Sequence, residues 1–356
     1  MAMRRRSYPG TDLTVSEVGF GVWTVTTGWW PDAQRQTQQG LRLLRLAHEL
    51  GITLFDTADV YGDGLGETLL RAALGAHRDE LVIATKGGYD LTRPGPGGQR
   101  EREQDFSPGY LRYAIEQSLT RLGTDRIDLY QLHNVKLDHV LADDLAATLD
   151  DLVAAGKLRA WGTALGPAIG FVVEGTLAIR RGLGCSQQII YNALEQNPGR
   201  ALFAEARRAG QMGFLVRVPH SSGLLEGKYT LATTFPPHDH RRHRPRSWLV
   251  NGLEKVRQLE FLTAGGARTL GQAALKFVLA EPQVMSCLPN IYDEDQLREF
   301  AAAPATPDLT TDELERLAAL YAVNFGLDEP PMGFKGLDPT SVRARELLGA
   351  GARVTA

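Results

Sequence analysis

Short apolar runs rich in β-branched and aromatic residues alternate along this chain with longer stretches of helical spacing. The runs Val18–Trp23, Thr53–Thr57, Leu81–Lys86, Ile127–His133, Ala160–Thr163, Gln188–Tyr191, Gly213–Val218 and Met285–Pro289 predict eight strands. Gly40–Glu49, Leu111–Leu122, Val140–Ala155, Ala201–Ala209 and Leu270–Leu279 predict amphipathic helices, with Leu41, Leu44, Leu46 and Leu50 on the inward stripe of the first. Several strands are apolar on both faces, as parallel strands covered on both sides are. Alternation repeated through eight strands with no break in composition favours one closed (β/α)8 TIM barrel over an open doubly wound sheet. The expected layout is a single domain over 1–356: an N-terminal hairpin, a barrel core over 15–303, long loops on the catalytic face, and a C-terminal helix and tail over 304–356.

Two segments interrupt the rhythm. Gly87–Ser107, containing Pro94-Gly95-Pro96-Gly97-Gly98, is too long and too rich in Gly and Pro for an ordinary barrel connection and reads as a mobile loop on the catalytic face. Leu224–Trp248 carries the basic run His238-Asp239-His240-Arg241-Arg242-His243-Arg244 after the seventh strand, so it lies on that face too. The tail beyond Gly326 reads as irregular surface chain.

Composition narrows the partners. With 39 basic and 42 acidic residues the formal charge is -3, so no global field draws nucleic acid or an acidic membrane surface, and a small neutral molecule is the expected partner. No apolar stretch approaches membrane-spanning length. Cys185 and Cys287 stand far apart without C-x-x-C spacing, which argues against a disulfide framework or thiolate metal site and fits a reducing cytoplasm. The basic start Arg4-Arg5-Arg6 runs into Ser7-Tyr8-Pro9-Gly10 rather than an apolar region, so no secretory signal is expected.

Chemistry in such a barrel sits at the C-terminal ends of the strands. There the second, third and fourth strands carry Asp56, Lys86 and His133, and Tyr61 follows the second in Asp56-Thr57-Ala58-Asp59-Val60-Tyr61-Gly62. A lysine closing the apolar run Ile83-Ala84-Thr85-Lys86 is expensive to bury alone, so Asp56 on the adjacent strand is its expected partner. An unperturbed phenol near pKa ~10 holds its proton too tightly for proton transfer near neutrality, and a neighbouring ammonium favours the phenolate. His133 is then placed to hydrogen-bond a substrate oxygen. Each residue alone has an ordinary reading: a loop cap, rim packing, a snorkelling lysine, a satisfied histidine. Together, in this order at strand ends, they form a candidate acid–base site.

The motifs Val18-Gly19-Phe20-Gly21-Val22-Trp23, Phe55-Asp56-Thr57-Ala58-Asp59-Val60-Tyr61-Gly62, Ile83-Ala84-Thr85-Lys86 and Leu129-Tyr130-Gln131-Leu132-His133 resemble the aldo-keto reductase superfamily from about Tyr8 to Leu320. The resemblance implies the tetrad Asp56, Tyr61, Lys86 and His133. It also implies NADP(H) or NAD(H) bound extended without a Rossmann turn, in agreement with the absence of G-x-G-x-x-G. Cofactor contacts are expected from Gly21, Trp23, Thr163, Gln188, Arg217, Pro219, Ser221, Gly223, Leu225, Gly227, Lys228, Arg241, Pro289, Asn290, Ile291, Tyr292, Asp293 and Gln296. Trp23, Trp29, Trp30, Val60, Asn134 and His220 are the expected substrate wall.

The cofactor half departs from the family pattern. Ala164 and Leu165 stand where a Ser-Asn pair usually clamps the carboxamide, while Gln188 is retained and Thr163 is a neighbouring substitute. Arg217 replaces the stacking aromatic, and a planar guanidinium also stacks. Tyr292 stands where Arg or Lys usually meets the 2′-phosphate, followed by Asp293 and Glu294, and Phe300 replaces an Asn near adenine. Acidic groups beside the ribose repel a phosphate and accept from free hydroxyls, which predicts a weaker preference for the phosphorylated cofactor, or its reversal. Carboxylates at a helix N-terminus are the competing explanation. The expected activity is hydride transfer between nicotinamide and a small aldehyde, ketone or sugar. A redox-neutral isomerase or epimerase with tightly held NAD(H), and a non-catalytic nucleotide-sensing subunit, are the alternatives. A metal site from His238, His240 and His243 is disfavoured, since no zinc-finger or H-E-x-x-H pattern accompanies them, and no metal is expected.

Overall fold

The computed structural model describes residues 3–26, 33–95, 101–166, 168–236, 239–329, 333 and 335–349. The chain opens with the antiparallel hairpin of β1 (Arg5–Ser7) and β2 (Thr14–Ser16). Eight parallel strands follow in sequence order around one sheet: β3 (Phe20–Gly21), β4 (Leu54–Asp56), β5 (Val82–Gly87), β6 (Ile127–Val135), β7 (Leu158–Leu165), β8 (Ser186–Ile190), β9 (Gly213–Arg217) and β10 (Val284–Leu288). The sheet closes through a parallel bridge between Val18 and Cys287. There Gly19 N–H donates to Cys287 O at 2.8 Å and Cys287 N–H donates to Glu17 O at 2.9 Å. The expected barrel is the fold.

Helices cover the outside: α1 (Ala33–Glu49), α2 (Leu65–Leu74), α3 (Pro108–Leu122), α4 (Leu137–Leu141), α5 (Asp144–Ala154), α6 (Val172–Arg180), α7 (Gly199–Ala209), α8 (Arg246–Arg257), α9 (Leu270–Leu279), α10 (Glu294–Ala302), α11 (Thr311–Ala322) and α12 (Val342–Leu348). Local sequence sets their ends. Ser107 accepts from Tyr110 N–H with Pro108 at the first turn of α3, and Gly123 at φ 66° ends that helix.

Three expectations change. The first strand shortens because Val22–Val25 winds into a 3-10 turn. The segment expected as one helix over Val140–Ala155 divides into α4 and α5 because Ala142 is extended, with ψ 131°. The tail is not all irregular: the Ser341 hydroxyl accepts from Ala344 N–H and so caps α12, on which Ala344 and Leu348 are buried. Arg180 on α6 donates to Leu348 O at 2.7 Å, which ties that helix to the barrel wall.

Strand register separates two layers inside the barrel, since every second side chain points inward. The lower layer is apolar: Leu54, Val82, Ala84, Leu129, Ala160 and Leu215 meet Tyr8, Leu13 and Val15 of the hairpin, which fills the N-terminal end. One register step higher come Asp56, Lys86, Gln131, Gln188 and Arg217. The register pairs Gly21 with Asp56, Lys86 with Gln131 and Ala164 with Gln188. A polar layer therefore lies directly under the C-terminal mouth.

Candidate active site

Lys86 is 1 % exposed, and its ammonium is fully engaged. Nζ donates to Asp56 Oδ1 at 2.5 Å, to Thr57 O at 2.9 Å and to the Tyr61 hydroxyl at 3.5 Å. A buried ion pair is stable only when its remaining lone pairs are satisfied, and here they are. Gln131 Nε2 and Gln188 Nε2 donate to Asp56 Oδ2 at 3.0 and 2.8 Å, and Gln188 Nε2 also approaches Gln131 Oε1 at 3.3 Å. Asp59, in the same run as Asp56 and Tyr61, takes no part. It is 1 % exposed, beside Tyr130 and Glu67, and burial first and the Glu67 charge next push its carboxyl well above the usual range.

His133 closes the tetrad. Its ring lies edge-on to Tyr61 with centroids 5.8 Å apart, and to Tyr89 at 4.9 Å. Burial, then the charges of Lys86 and Arg217, hold it well below the usual imidazole range, so it is neutral at pH 7. Asn134 Nδ2 donates to the Tyr89 hydroxyl at 2.7 Å, and that hydroxyl donates to Glu101 Oε1 at 2.6 Å.

The segment after β5 lies across this side of the mouth. It is fastened rather than loose where it is described: Asp90 N–H reaches Glu103 O at 2.9 Å, Asp105 N–H reaches Gly88 O at 2.8 Å, and Gln104 Nε2 donates to His133 O at 2.8 Å. Residues 96–100 lie outside the described part.

The opposite side is built from the ends of β9 and β10. Arg217 lays its guanidinium over the end of β7, where Nη2 donates to Leu165 O at 2.9 Å and to Gly166 O. Val218, Ser221, Ser222 and Gly223 then take positive φ of 57, 46, 57 and 98° in close succession. Non-glycine residues in that region persist where surrounding structure enforces them, and such backbone turns aim N–H groups into anion-binding concavities. Arg241 folds back over this loop. It is held by Asp239, donates to the Tyr229 hydroxyl at 2.5 Å, and stands 5.9 Å from the centre of the Tyr292 ring. Arg244 Nη2 donates to Ser222 Oγ at 3.2 Å. Below them Glu226 Oε2 accepts from Gln296 Nε2 at 2.8 Å, and Gln296 Oε1 accepts from Tyr292 N–H at 2.9 Å.

A model of the "Aldo/keto reductase family" matches residues 17–322, a span that contains every group just described. The chain belongs to the aldo/keto reductase family.

Among its relatives is the L-glyceraldehyde 3-phosphate reductase of Escherichia coli O157:H7, 29% identical over 299 residues, or 77% of this chain and 81% of that protein. The NADH-specific methylglyoxal reductase of E. coli K12 is 30% identical over 310 residues, covering 82% and 91%. Among solved structures, the glycerol dehydrogenase AKR11B4 from Gluconobacter oxydans superposes with a TM-score of 0.77 at 25% identity, over 94% of this chain and all of that one.

Aldo-keto reductases use a nicotinamide dinucleotide, and the residues here fit one. A Cβ built on Gly21, beside Asp56, meets nothing within 4 Å, so there is open space above the polar layer. The positive-φ turn and the arginines over it offer donors to a pyrophosphate. Gly227 and Lys228 are exposed in the loop that follows, while Asn290 and Tyr292 are half-buried beside Gln296 at the head of α10.

The structure gathers Asp56, Tyr61, Lys86 and His133 at the mouth. Asn134 joins them through Tyr89, and Trp23 and Val60 are half-buried in the segments that follow β3 and β4. Other expected contacts turn elsewhere. Thr163 is on the outward face of β7 against Gln187, at 3.5 Å. His220 stacks on Phe300 with centroids 4.4 Å apart and hydrogen-bonds Gly271 O, between the barrel and its outer helices. Ser221 Oγ donates to Glu195, and Pro219, Leu225, Pro289 and Ile291 are buried. Asp293 caps α10 at Gln296 N–H, 2.8 Å away, and Glu294 pairs with Arg42. Trp29 and Trp30 lie outside the described residues. Sequence reasoning passed over Gln131, Tyr89 and Glu226. Gln131 alone carried a signal, as a polar side chain two positions before His133 and so on the same inward face.

Proposed function

We propose that this chain interconverts a small aldehyde, ketone or sugar carbonyl with its alcohol, using NAD(H) or NADP(H) and Tyr61 as the acid–base group. The single observation that carries the reading is the contact of Lys86 Nζ with both Asp56 Oδ1, at 2.5 Å, and the Tyr61 hydroxyl, at 3.5 Å. An ammonium beside a phenol favours negative charge on its oxygen, so Lys86 is placed to assist proton transfer from Tyr61 as charge develops on the substrate oxygen. Asp56 holds Lys86 in place, and Gln131 and Gln188 hold Asp56 in turn. A neutral His133 donates a hydrogen bond to the same oxygen without competing for the proton.

When bound, the reduced nicotinamide supplies the hydride. Arg217 would border the nicotinamide end, the turn over Val218–Gly223 with Arg241 and Arg244 the pyrophosphate, and Tyr292, Gln296 and Glu226 the adenosine end. The carboxyl of Glu226 and the absence of a basic side chain at Tyr292 support acceptance of NAD(H) at least as readily as NADP(H). A preference of about 100-fold for NADP(H), roughly 2.7 kcal/mol, contradicts that part of the reading.

The mechanism is tested by Tyr61→Phe, which keeps the ring and removes the proton. Turnover is expected to fall about 100-fold or more while dinucleotide affinity, read by fluorescence titration, stays close to that of the parent. Undiminished turnover would remove Tyr61 from the reaction.

A further inference from the structure

A second cluster of chemistry-bearing side chains lies at the opposite end of the barrel. His48 is in the last turn of α1, and His77 and Glu80 lie in the 3-10 segment that joins α2 to β5. Both segments lead into the N-terminal ends of strands, so the cluster is on the face away from Tyr61. His48 Nε2 lies 3.0 Å from Glu80 Oε2, and His77 Nδ1 lies 2.9 Å from Glu80 Oε1. The two imidazoles face one another with centroids 4.5 Å apart and planes at 41°. One donor atom from each of the three residues lies within 4.8 Å of the other two, and among the described residues this is the one such group of His, Cys, Asp or Glu.

The local chain produces this convergence. His77 leaves helical geometry, at φ −109° and ψ 15°, and the run His77-Arg78-Asp79-Glu80 splits to two sides. Arg78 and Asp79 turn toward β6, where they pair with Asp128 at 2.7 Å and Arg126 at 2.5 Å. His77 and Glu80 turn the other way, to His48. The one arginine of this run is thus drawn away from the Glu80 carboxylate, and each imidazole sets one ring nitrogen against it.

We propose that His48, His77 and Glu80 bind a divalent cation of the zinc class, fastening the end of α1 to the α2–β5 connection. Two imidazoles and one carboxylate are a borderline donor set that suits zinc, whereas calcium and magnesium prefer oxygen alone. Tetrahedral zinc with donors at about 2.0–2.2 Å sets them roughly 3.3 Å apart, between the 2.9 and 3.0 Å imidazole–carboxylate contacts and the 4.8 Å within which all three donors lie, a difference that side-chain rotation can take up. Glu80 is 60% exposed and His77 46% exposed, which leaves both free to rotate. The fourth position faces solvent and would hold water. The proposal does not depend on the reading of the mouth.

Calorimetric titration of the full chain, carrying no affinity tag, with Zn2+ is the test, with Co2+ absorption to report the coordination number. One equivalent should bind with micromolar affinity, give the intense visible bands of four-coordinate cobalt, and raise the melting temperature. His77→Ala and Glu80→Gln should each weaken binding by about 100-fold or more, at or beyond the range for disturbing a metal's surroundings. Because both side chains are exposed, metal-free melting of these variants should match the parent and rules out misfolding. His240→Ala combined with His243→Ala controls for the basic loop and should leave binding intact. Absence of saturable binding, persistence in both ligand variants, or loss in the loop variant overturns the proposal.

Discussion

Gln188 Nε2 stands 2.8 Å from Asp56 Oδ2. The family resemblance gives this glutamine to the nicotinamide, yet in the folded chain its amide is aimed down at the carboxylate beneath Tyr61. Asp56 is thereby held at both oxygens, by Lys86 on one and by two amides on the other. A carboxylate so held cannot swing away from the ammonium that it orients.

Gln188→Leu separates the two roles. If the amide chiefly supports Asp56, the variant loses a hydrogen bond to a buried charge, roughly 1.5–3 kcal/mol in urea unfolding, with cofactor affinity little changed. Intact stability with weakened dinucleotide binding would assign the side chain to the cofactor instead.

Lys86→Met leaves Asp56 buried without its cation. The expected loss is about 3–5 kcal/mol of stability, and Lys86→Met with Asp56→Asn should recover part of it because no charge is then stranded. Chemical denaturation of the two single variants and the double variant closes the cycle. Additive losses would mean that the pair does not interact.

Burial lifts the Glu226 carboxyl to about 7, so it is neutral in mild acid and charged in mild base. A charge next to Gln296 repels a 2′-phosphate, so discrimination against NADP(H) should grow between about pH 6 and about pH 8. Glu226→Gln should flatten that growth, and comparing it with the parent corrects for titration of the phosphate itself.

Stability should follow the same titration. A carboxyl with a raised folded pKa contributes fully below its unfolded value, and the contribution is lost as pH rises through about 7. The melting temperature of the parent is therefore expected to fall relative to that of Glu226→Gln between about pH 5 and about pH 7. A constant difference across that range would show that Glu226 does not titrate there.

The barrel and the clustering at its mouth were legible because strand period and strand end are both local properties. Lys86 closing an apolar run demanded a partner, and the adjacent strand offered Asp56. What the sequence did not disclose was the direction of side chains beyond the strand ends. His220 follows β9 as closely as His133 ends β6, but the left-handed turn at Val218 carries it toward Phe300 and Gly271. Thr163 falls on the outward register of β7, a one-residue matter that neighbouring Ala164 concealed. Helix α1 begins at Ala33 rather than Gly40 because its first turns, Gln34-Arg35-Gln36-Thr37-Gln38-Gln39, are polar and show no apolar period.

The hairpin fills the lower end of the barrel, with Tyr8 reaching Ser186 at 3.2 Å, so among the described residues the interior is a vessel that opens at the mouth. Under the proposed function, dinucleotide, substrate and product would all share that doorway. Under that reading, whatever sits deepest would arrive first and depart last, so the one doorway would act as a queue for the proposed reaction.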